Sequence, residues 1–479
     1  MSEEAKSNVV VGRTYEKSIL QQCIDSGRPE FLAVYGRRRV GKTFLIKEYF
    51  HNRFSFYATG AKSTQKEIKL LLFNEALVAY GSKDPSVPEN WFKAFAKLRS
   101  LLESPRCYRD KATKRKVVFL DELPWMDSPR SEFKAALDYF WNAYASSQKD
   151  ILLIVCGSAT SWIIKNIARD TGGFYNRLTN QIYLAPFRLR ECKELAMKLG
   201  LDFNDETIAQ AYMVFGGVPF YWSLLLPSES LDQGIERLCF NEKGALRYEY
   251  QNLFASLFSL KSNHREIVTA LSKKASGLTR EELQTQAGIP GGKSLTKALE
   301  ELEQCGFIRK FARPGKINGA FYQIYDPFCR FATDFLLKKK TSSWISYEST
   351  PSYYSWLGNA FELLCLIHVD ELKNALGVSG VETVEYSYRS KTHSPGAQID
   401  LVIERKDGVS NLCEMKYTSA AFQIDREYAA NLANKQEAYR LETKTKNAVR
   451  ITLISANGIV RNKYSDIARN VITLSDLFK

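Results

Sequence analysis

At 479 residues the chain is too long for one hydrophobic core, and roughly two to four domains are expected. An apolar fraction of 45% with 14 prolines excludes a disordered or low-complexity protein, and the formal net charge of +14 suggests a polyanionic partner. The polar, acidic start Met-Ser-Glu-Glu-Ala-Lys is not a signal peptide, and no apolar stretch approaches the ~20 residues that span a membrane. Nine scattered cysteines and four unclustered histidines give neither a disulfide framework nor a zinc site, so a cytoplasmic protein is expected.

The first strand, Phe31-Leu32-Ala33-Val34-Tyr35, runs into Gly36-Arg37-Arg38-Arg39-Val40-Gly41-Lys42-Thr43, a complete GxxxxGK[ST] phosphate loop, and then into a helix over residues 44–50. Gly36 and Gly41 allow successive N–H groups of the loop to face phosphates. Lys42 can reach the β- and γ-phosphates and the Thr43 hydroxyl can ligate Mg²⁺, while the helix N-terminus adds favourable potential. This reads as a nucleoside triphosphate site.

A second apolar strand, residues 116–120, ends in Asp121-Glu122. Asp121 can hold Mg²⁺ through water and Glu122 can polarise the attacking water, so hydrolysis is the expected reaction. Just before it, Arg106, Arg109, Lys111, Lys114, Arg115 and Lys116 form a basic run, which reads as a solvated loop ahead of a nucleic-acid contact. A third strand, residues 151–156, leads to Gly157-Ser158, where Ser158 either senses the γ-phosphate or caps the helix near Ser161. Arg177, after a Gly172-Gly173 turn, is either a finger for transition-state charge, in cis or from a neighbouring copy, or a surface arginine. Residues 191–260 read as a helical lid interrupted by Gly216-Gly217-Val218-Pro219.

Together with Val11-Gly12-Arg13 and Glu16, these motifs resemble the archaeal/bacterial ATPase family of the AAA+/STAND branch of P-loop NTPases, over roughly residues 9–240. The resemblance implies ATP as the nucleotide, an AAA+-like parallel sheet with a helical lid, Ser158 as first sensor, Arg177 as finger, the Gly12-Arg13 box by the base and Pro219 near the adenine.

Residues 261–325 change character. Helices over 265–274, 280–287 and 294–304, with Thr279 as an N-cap, precede two strands over 306–311 and 319–324 joined by a Pro314-Gly315 loop. Three helices and a hairpin make a winged helix. Lys293, Lys297, Arg309, Lys310, Arg313 and Lys316 suit phosphate contacts, though such folds also serve as spacers and docking modules. Lys338-Lys339-Lys340 is a second basic run with a solvated reading.

In the last segment, Asp400 lies within an apolar strand and a short turn leads to a second strand carrying Glu414 and Lys416. Two carboxylates and an amine on one side of a hairpin can hold one or two divalent metals, with Glu362 on a helix over 360–370 completing the shell. Lys416 would orient the nucleophile or balance charge. Charged edge residues on an ordinary hairpin are the alternative, and Lys435 and Gln436 on the next helix read as a solvated face ahead of a DNA contact. With Tyr325-Asp326-Pro327-Phe328 at the join, residues 331–479 resemble an uncharacterised PD-(D/E)xK nuclease-like module that often follows this ATPase; the usual proline before the first acid is replaced by Ile399.

The expectation is therefore an α/β multidomain protein: a P-loop ATPase core over 1–190, a lid over 191–260, a winged helix over 261–330 and a restriction-endonuclease-like domain over 331–479. It would bind ATP and Mg²⁺, hydrolyse ATP and act on DNA, as a single copy or a homo-oligomer and without a membrane. A nucleotide-gated switch or transcription regulator with a non-catalytic nuclease scaffold is the alternative.

Overall fold

Short apolar runs bounded by polar turns become the strands of the first sheet: β1 (Glu30–Tyr35), β2 (Phe56–Thr59), β3 (Lys116–Asp121), β4 (Ile151–Gly157) and β5 (Asn180–Tyr183). In the computed structural model, which describes residues 10–63, 65–168, 177–258, 262–274, 276–312, 320–338, 343–348, 350–390 and 392–479, they pair in the order β2-β3-β4-β1-β5, parallel throughout. Gly172, Gly173, Arg313, Pro314, Gly315, Lys316, Lys339 and Lys340, singled out above, and residue 319 at the start of the second hairpin strand lie outside the described residues.

The chain forms two compact units, Met1–Pro186 and Phe187–Lys479. In the first, β3 and β4 are buried along their whole length, because helices cover both faces of the sheet. Alternate residues feed two cores. Phe31, Ala33, Val118, Leu120 and Leu153 pack with Trp91, Phe95 and Phe133 on one side. Leu32, Val34, Val117, Phe119 and Leu152 pack with Leu20, Leu45 and Ile46 on the other. The basic run before β3 is only partly a solvated loop. Arg115 is buried and donates to the carbonyls of Cys23, Arg28 and Lys149, and Lys116 is buried against Asp150. Arg106, Arg109, Lys111 and Lys114 are exposed.

The second unit contains the lid segment and both later segments. Its first helices, Leu189–Lys198 and Asp205–Phe215, stop at Gly216-Gly217, and the short helix Pro219–Trp222 follows. Gly217 is dictated by space, since a Cβ there would stand 1.8 Å from the Phe187 carbonyl oxygen. Helix His264–Ser272, strand β6 (Leu278–Thr279), helices Arg280–Ala287 and Lys293–Gln304, and the antiparallel strands β7 (Ile308–Ala312) and β8 (Ala320–Ile324) come next, with sheet order β6-β8-β7. Thr279 caps as expected: its hydroxyl accepts from Glu282 N at 3.2 Å, and the Glu282 carboxylate accepts from Thr279 N at 2.8 Å.

The C-terminal sheet combines β9 (Thr383–Arg389), β10 (Gln398–Arg405), β11 (Val409–Lys416), β13 (Ala448–Ser455) and β15 (Ala468–Thr473) in the order β15-β13-β11-β10-β9. β9, β10 and β11 are antiparallel; β11, β13 and β15 are parallel, with β12 (Phe422–Gln423) and β14 (Ile459–Val460) forming a side pair. Helix Arg426–Thr443 sends Leu432 and Tyr439 into the core of this sheet, and the other flanking helix, Pro351–Ile367, begins earlier than expected because Thr350 caps it ahead of Pro351.

Phe311 of β7 joins that same core beside Tyr386, Tyr388, Ile399 and Leu432, stacked on Phe321 at 5.6 Å. The hairpin is thus fixed to the C-terminal sheet. Phe311→Ala should lower the stability of the second unit by about 3 kcal/mol, read as a lowered urea midpoint, and Phe311→Leu should recover most of it.

Candidate active sites

Parallel neighbours end at one edge of a sheet, so whatever follows β1, β3 and β4 converges there. The phosphate loop follows β1. Gly36 (φ 151°) lies so near the Leu184 backbone that a Cβ would sit 2.3 Å from its carbonyl oxygen, and Gly41 (φ 92°) is the left-handed residue that starts helix Lys42–Tyr49. Lys42 is buried and its Nζ donates to the Gly36 and Arg37 carbonyls, each at 2.9 Å. Loop residues Arg38, Arg39 and Val40 complete the turn, Arg39 in the left-handed region at φ 72°.

The acids lie beside it. Thr43 Oγ1 donates to Asp121 Oδ2 at 2.8 Å, and Asp121 Oδ1 accepts from the Glu122 backbone N–H at 3.0 Å. Glu122 adopts φ 46°, ψ 45°, costly for a side chain of this size and typical of a residue held for a task. Its Oε2 accepts from Ser158 Oγ at 2.9 Å and from Ser158 N at 3.2 Å. The Ser158 hydroxyl therefore serves Glu122 and does not cap a helix. The register Tyr35↔Gly157 sets Ser158 beside the loop. In the N-terminal box, the buried Arg13 pairs with Glu16 at 3.3 Å and donates to the Val40 carbonyl at 3.4 Å.

Arg177 does not join this group within its own chain. It is exposed and precedes β5, while Thr179 is hydrogen-bonded to Phe31 at the start of β1. Four residues of strand, roughly 13 Å, separate that level from Tyr35, where the phosphate loop begins. Pro219 is the first residue of its short helix in the second unit.

Residues 11–225 match a family described as an ATPase domain predominantly from Archaea. That span holds the phosphate loop, the acids at the end of β3 and Ser158. Along most of its length the chain is 24% identical, over 408 residues, to an uncharacterized protein of Methanocaldococcus jannaschii, covering 82% of this chain and 83% of that one. Among solved structures it is similar to a Walker-type ATPase of Pyrococcus abyssi at 18% identity and TM-score 0.47, covering 68% of this chain and 96% of that one. It is also similar to the ORC2 protein of Aeropyrum pernix at 13% identity and TM-score 0.43, covering 76% and 97%. Among the described residues no helix is long and apolar enough to cross a membrane.

Outside residues 11–225 a second polar group stands at the β10–β11 hairpin. The antiparallel register Leu401↔Cys413, continued by one residue, sets Asp400 across from Glu414, and Lys416 shares Glu414's face two residues on. Asp400 Oδ2 accepts from Met415 N at 3.0 Å. Burial pushes the Asp400 carboxyl up from the usual range. Burial and the neighbouring Asp400 charge push Glu414 up to about 7. Glu362, on helix Pro351–Ile367, is pushed up to about 8 by burial and then by Asp400. Both Glu362 and Asp400 line a cleft of about 610 Å³ shared with Phe311, Tyr386, Tyr388 and Lys274. Among the described residues, no three His, Cys, Asp or Glu side chains are gathered closely enough to hold a metal ion.

Two side chains differ from their sequence reading. Lys435 is not on a solvated face: its Nζ donates to Glu414 Oε2 at 2.6 Å, and Gln436 donates to the Val449 carbonyl at 3.2 Å. The helix turns both inward, because Leu432 and Tyr439 on the same side fill the sheet's core. Arg309 is not a phosphate-facing wing residue; it donates to Gln323 at 2.9 Å and lies over Phe311, where burial lowers its pKa to about 10. Lys293 and Lys297 remain exposed, and Lys416 Nζ sits 5.2 Å from the Tyr428 ring centroid.

Because folding raises the carboxyl pKa values of Glu362, Asp400 and Glu414, the folded state holds protons that the unfolded chain would release. Without divalent cations, the stability of the second unit should fall as pH rises from about 4.5, the ordinary value, to about 8, the raised value of Glu362. Thermal melts across that range should show a flatter slope for Glu362→Gln.

Proposed function

We propose that the chain is a Mg²⁺-dependent ATPase that acts on DNA through a winged helix and a nuclease-like C-terminal site. The observation that carries the ATPase half is the hydrogen-bonded line Thr43–Asp121–Glu122–Ser158 beside a complete phosphate loop. Thr43 and Asp121 fit Mg²⁺ as a hydroxyl and a carboxylate already within contact of each other. When bound, Mg²⁺ offsets phosphate charge. On nucleotide binding Lys42 exchanges the Gly36 and Arg37 carbonyls for phosphate oxygens, and the backbone N–H groups of residues 36–43 cradle the rest.

Glu122 orients the attacking water and takes up its proton, while Ser158 holds that carboxylate until the γ-phosphate arrives. Arg177 serves as a finger only for a neighbouring copy, given its distance along β1 from the loop of its own chain. Pro219 is assigned to the adenine edge by the family pattern. Lys42→Ala should abolish measurable ATP hydrolysis. Glu122→Gln should leave ATP binding intact and slow hydrolysis by roughly 100-fold or more, separable by a binding titration and phosphate release.

For the C-terminal half, the facing Asp400 and Glu414 would offer a divalent cation two oxygen ligands, the unpartnered Glu414 Oε1 among them, and Glu362 lines the same cleft as Asp400. Such a cation activates water and offsets charge on a phosphodiester when bound. Lys416 then balances charge on the scissile phosphate, and the exposed Lys293 and Lys297 contact the DNA backbone through the winged helix. DNA nicking or cleavage in Mn²⁺ should disappear with Asp400→Ala and with Lys416→Ala. ATP hydrolysis without any Asp400-dependent cleavage would favour the nucleotide-gated switch, a reading supported by the Lys435–Glu414 pair, which gives that acid a counter-charge without a metal.

A further inference from the structure

We propose that Lys435 is an internal counter-ion that holds the cation position of the Asp400–Glu414 pair and yields it when a divalent cation binds. This deepens the nuclease reading and rests on it. The Lys435 ammonium lies 2.6 Å from Glu414 Oε2, with only 15% of the lysine side chain and 2% of the glutamate exposed. The other Glu414 oxygen, Oε1, is buried and has no hydrogen-bond partner among the described residues. One oxygen thus carries the whole pairing while an acceptor beside it stays unsatisfied, an arrangement suited to exchange between cations.

The acids that feel this ammonium are Glu414 and Asp400 from the two strands; Lys416 and Glu362 interact with the same two acids, and Tyr428 lies on the helix of Lys435. Three of these are acids. Lys416, the other cation, has its ammonium over the Tyr428 ring, so Lys435 alone is hydrogen-bonded to Glu414 among the described lysines. An ammonium 2.6 Å from Glu414 Oε2 repels a divalent cation on the same carboxylate, so Lys435 and a metal ion compete for it through charge. Its flexible four-carbon stem and partial exposure let the head group swing away without moving helix Arg426–Thr443. Freed, the ammonium is available to a bound polyanion.

The test is a calorimetric Mn²⁺ titration of the full chain without nucleotide, with Asp400→Asn as the blank for other Mn²⁺ sites. Lys435→Met should bind Mn²⁺ at least about tenfold more tightly than the natural chain, because the competing charge is gone. Lys435→Arg, which keeps the charge, and Lys416→Met should change the affinity by less than about threefold. In EDTA, Lys435→Met should melt below the natural chain and Mn²⁺ should restore it; if that variant does not fold, Lys435→Gln carries the same comparison. Unchanged or weaker Mn²⁺ binding in Lys435→Met, with Asp400→Asn still abolishing it, would overturn the competition and leave the nuclease reading standing. No Asp400-dependent Mn²⁺ binding in any variant would overturn both.

Discussion

A carboxylate removed from water needs a counter-charge or hydrogen-bond donors, and both units of this protein bury acids at the ends or edges of sheets. In the first unit Asp121, only 3% exposed, is met by the Thr43 hydroxyl and the Glu122 backbone N–H. In the second, Glu414 is met by Lys435 and Asp400 by the Met415 N–H. Neither solution is saturated. Each leaves oxygen atoms suited to a cation, and each keeps a lysine on an oxygen acceptor: the buried Lys42 on two carbonyls, the half-buried Lys435 on a carboxylate.

That shared constraint explains why the supporting structure is where it is. β3 and β4 are buried on both faces, so the positions of Asp121 and Ser158 are fixed by packing and not by the loops that follow. The C-terminal hairpin is fixed from two directions, by Leu432 and Tyr439 of the helix that carries Lys435 and by Phe311 of β7. The β7–β8 hairpin is therefore part of the wall of the Asp400 cleft, which places Phe311, Tyr386 and Tyr388 where aromatic faces can meet whatever enters.

What the sequence made legible was local. The phosphate loop can be read because its chemistry depends on eight consecutive residues between a strand and a helix, and the Asp121-Glu122 strand end because an apolar run announces it. The hairpin acids were legible from alternation along two adjacent strands. Contacts between distant segments were not. Lys435 meets Glu414 across 21 positions, and nothing in Ala-Asn-Lys-Gln-Glu distinguishes an inward lysine from a solvated one until the helix is rotated onto its sheet. Arg115 looked like one charge in a basic run, yet its guanidinium joins three carbonyls that lie 34 to 92 positions away. Arg309 reads in sequence as a wing cation, and only the packed hairpin reveals Gln323 and Phe311 as its neighbours.

The proposed function needs two cation sites of different construction in one chain: Thr43 with Asp121, and Asp400 with Glu414. The most direct test is a crystal of the full chain grown with Mn²⁺ and a non-hydrolysable ATP analogue, measured for anomalous scattering at the manganese edge. The account predicts one peak beside Thr43 and Asp121 and a second between Asp400 and Glu414, with Lys435 withdrawn from the carboxylate. A peak at the phosphate loop alone, with Lys435 still bonded to Glu414, would contradict it.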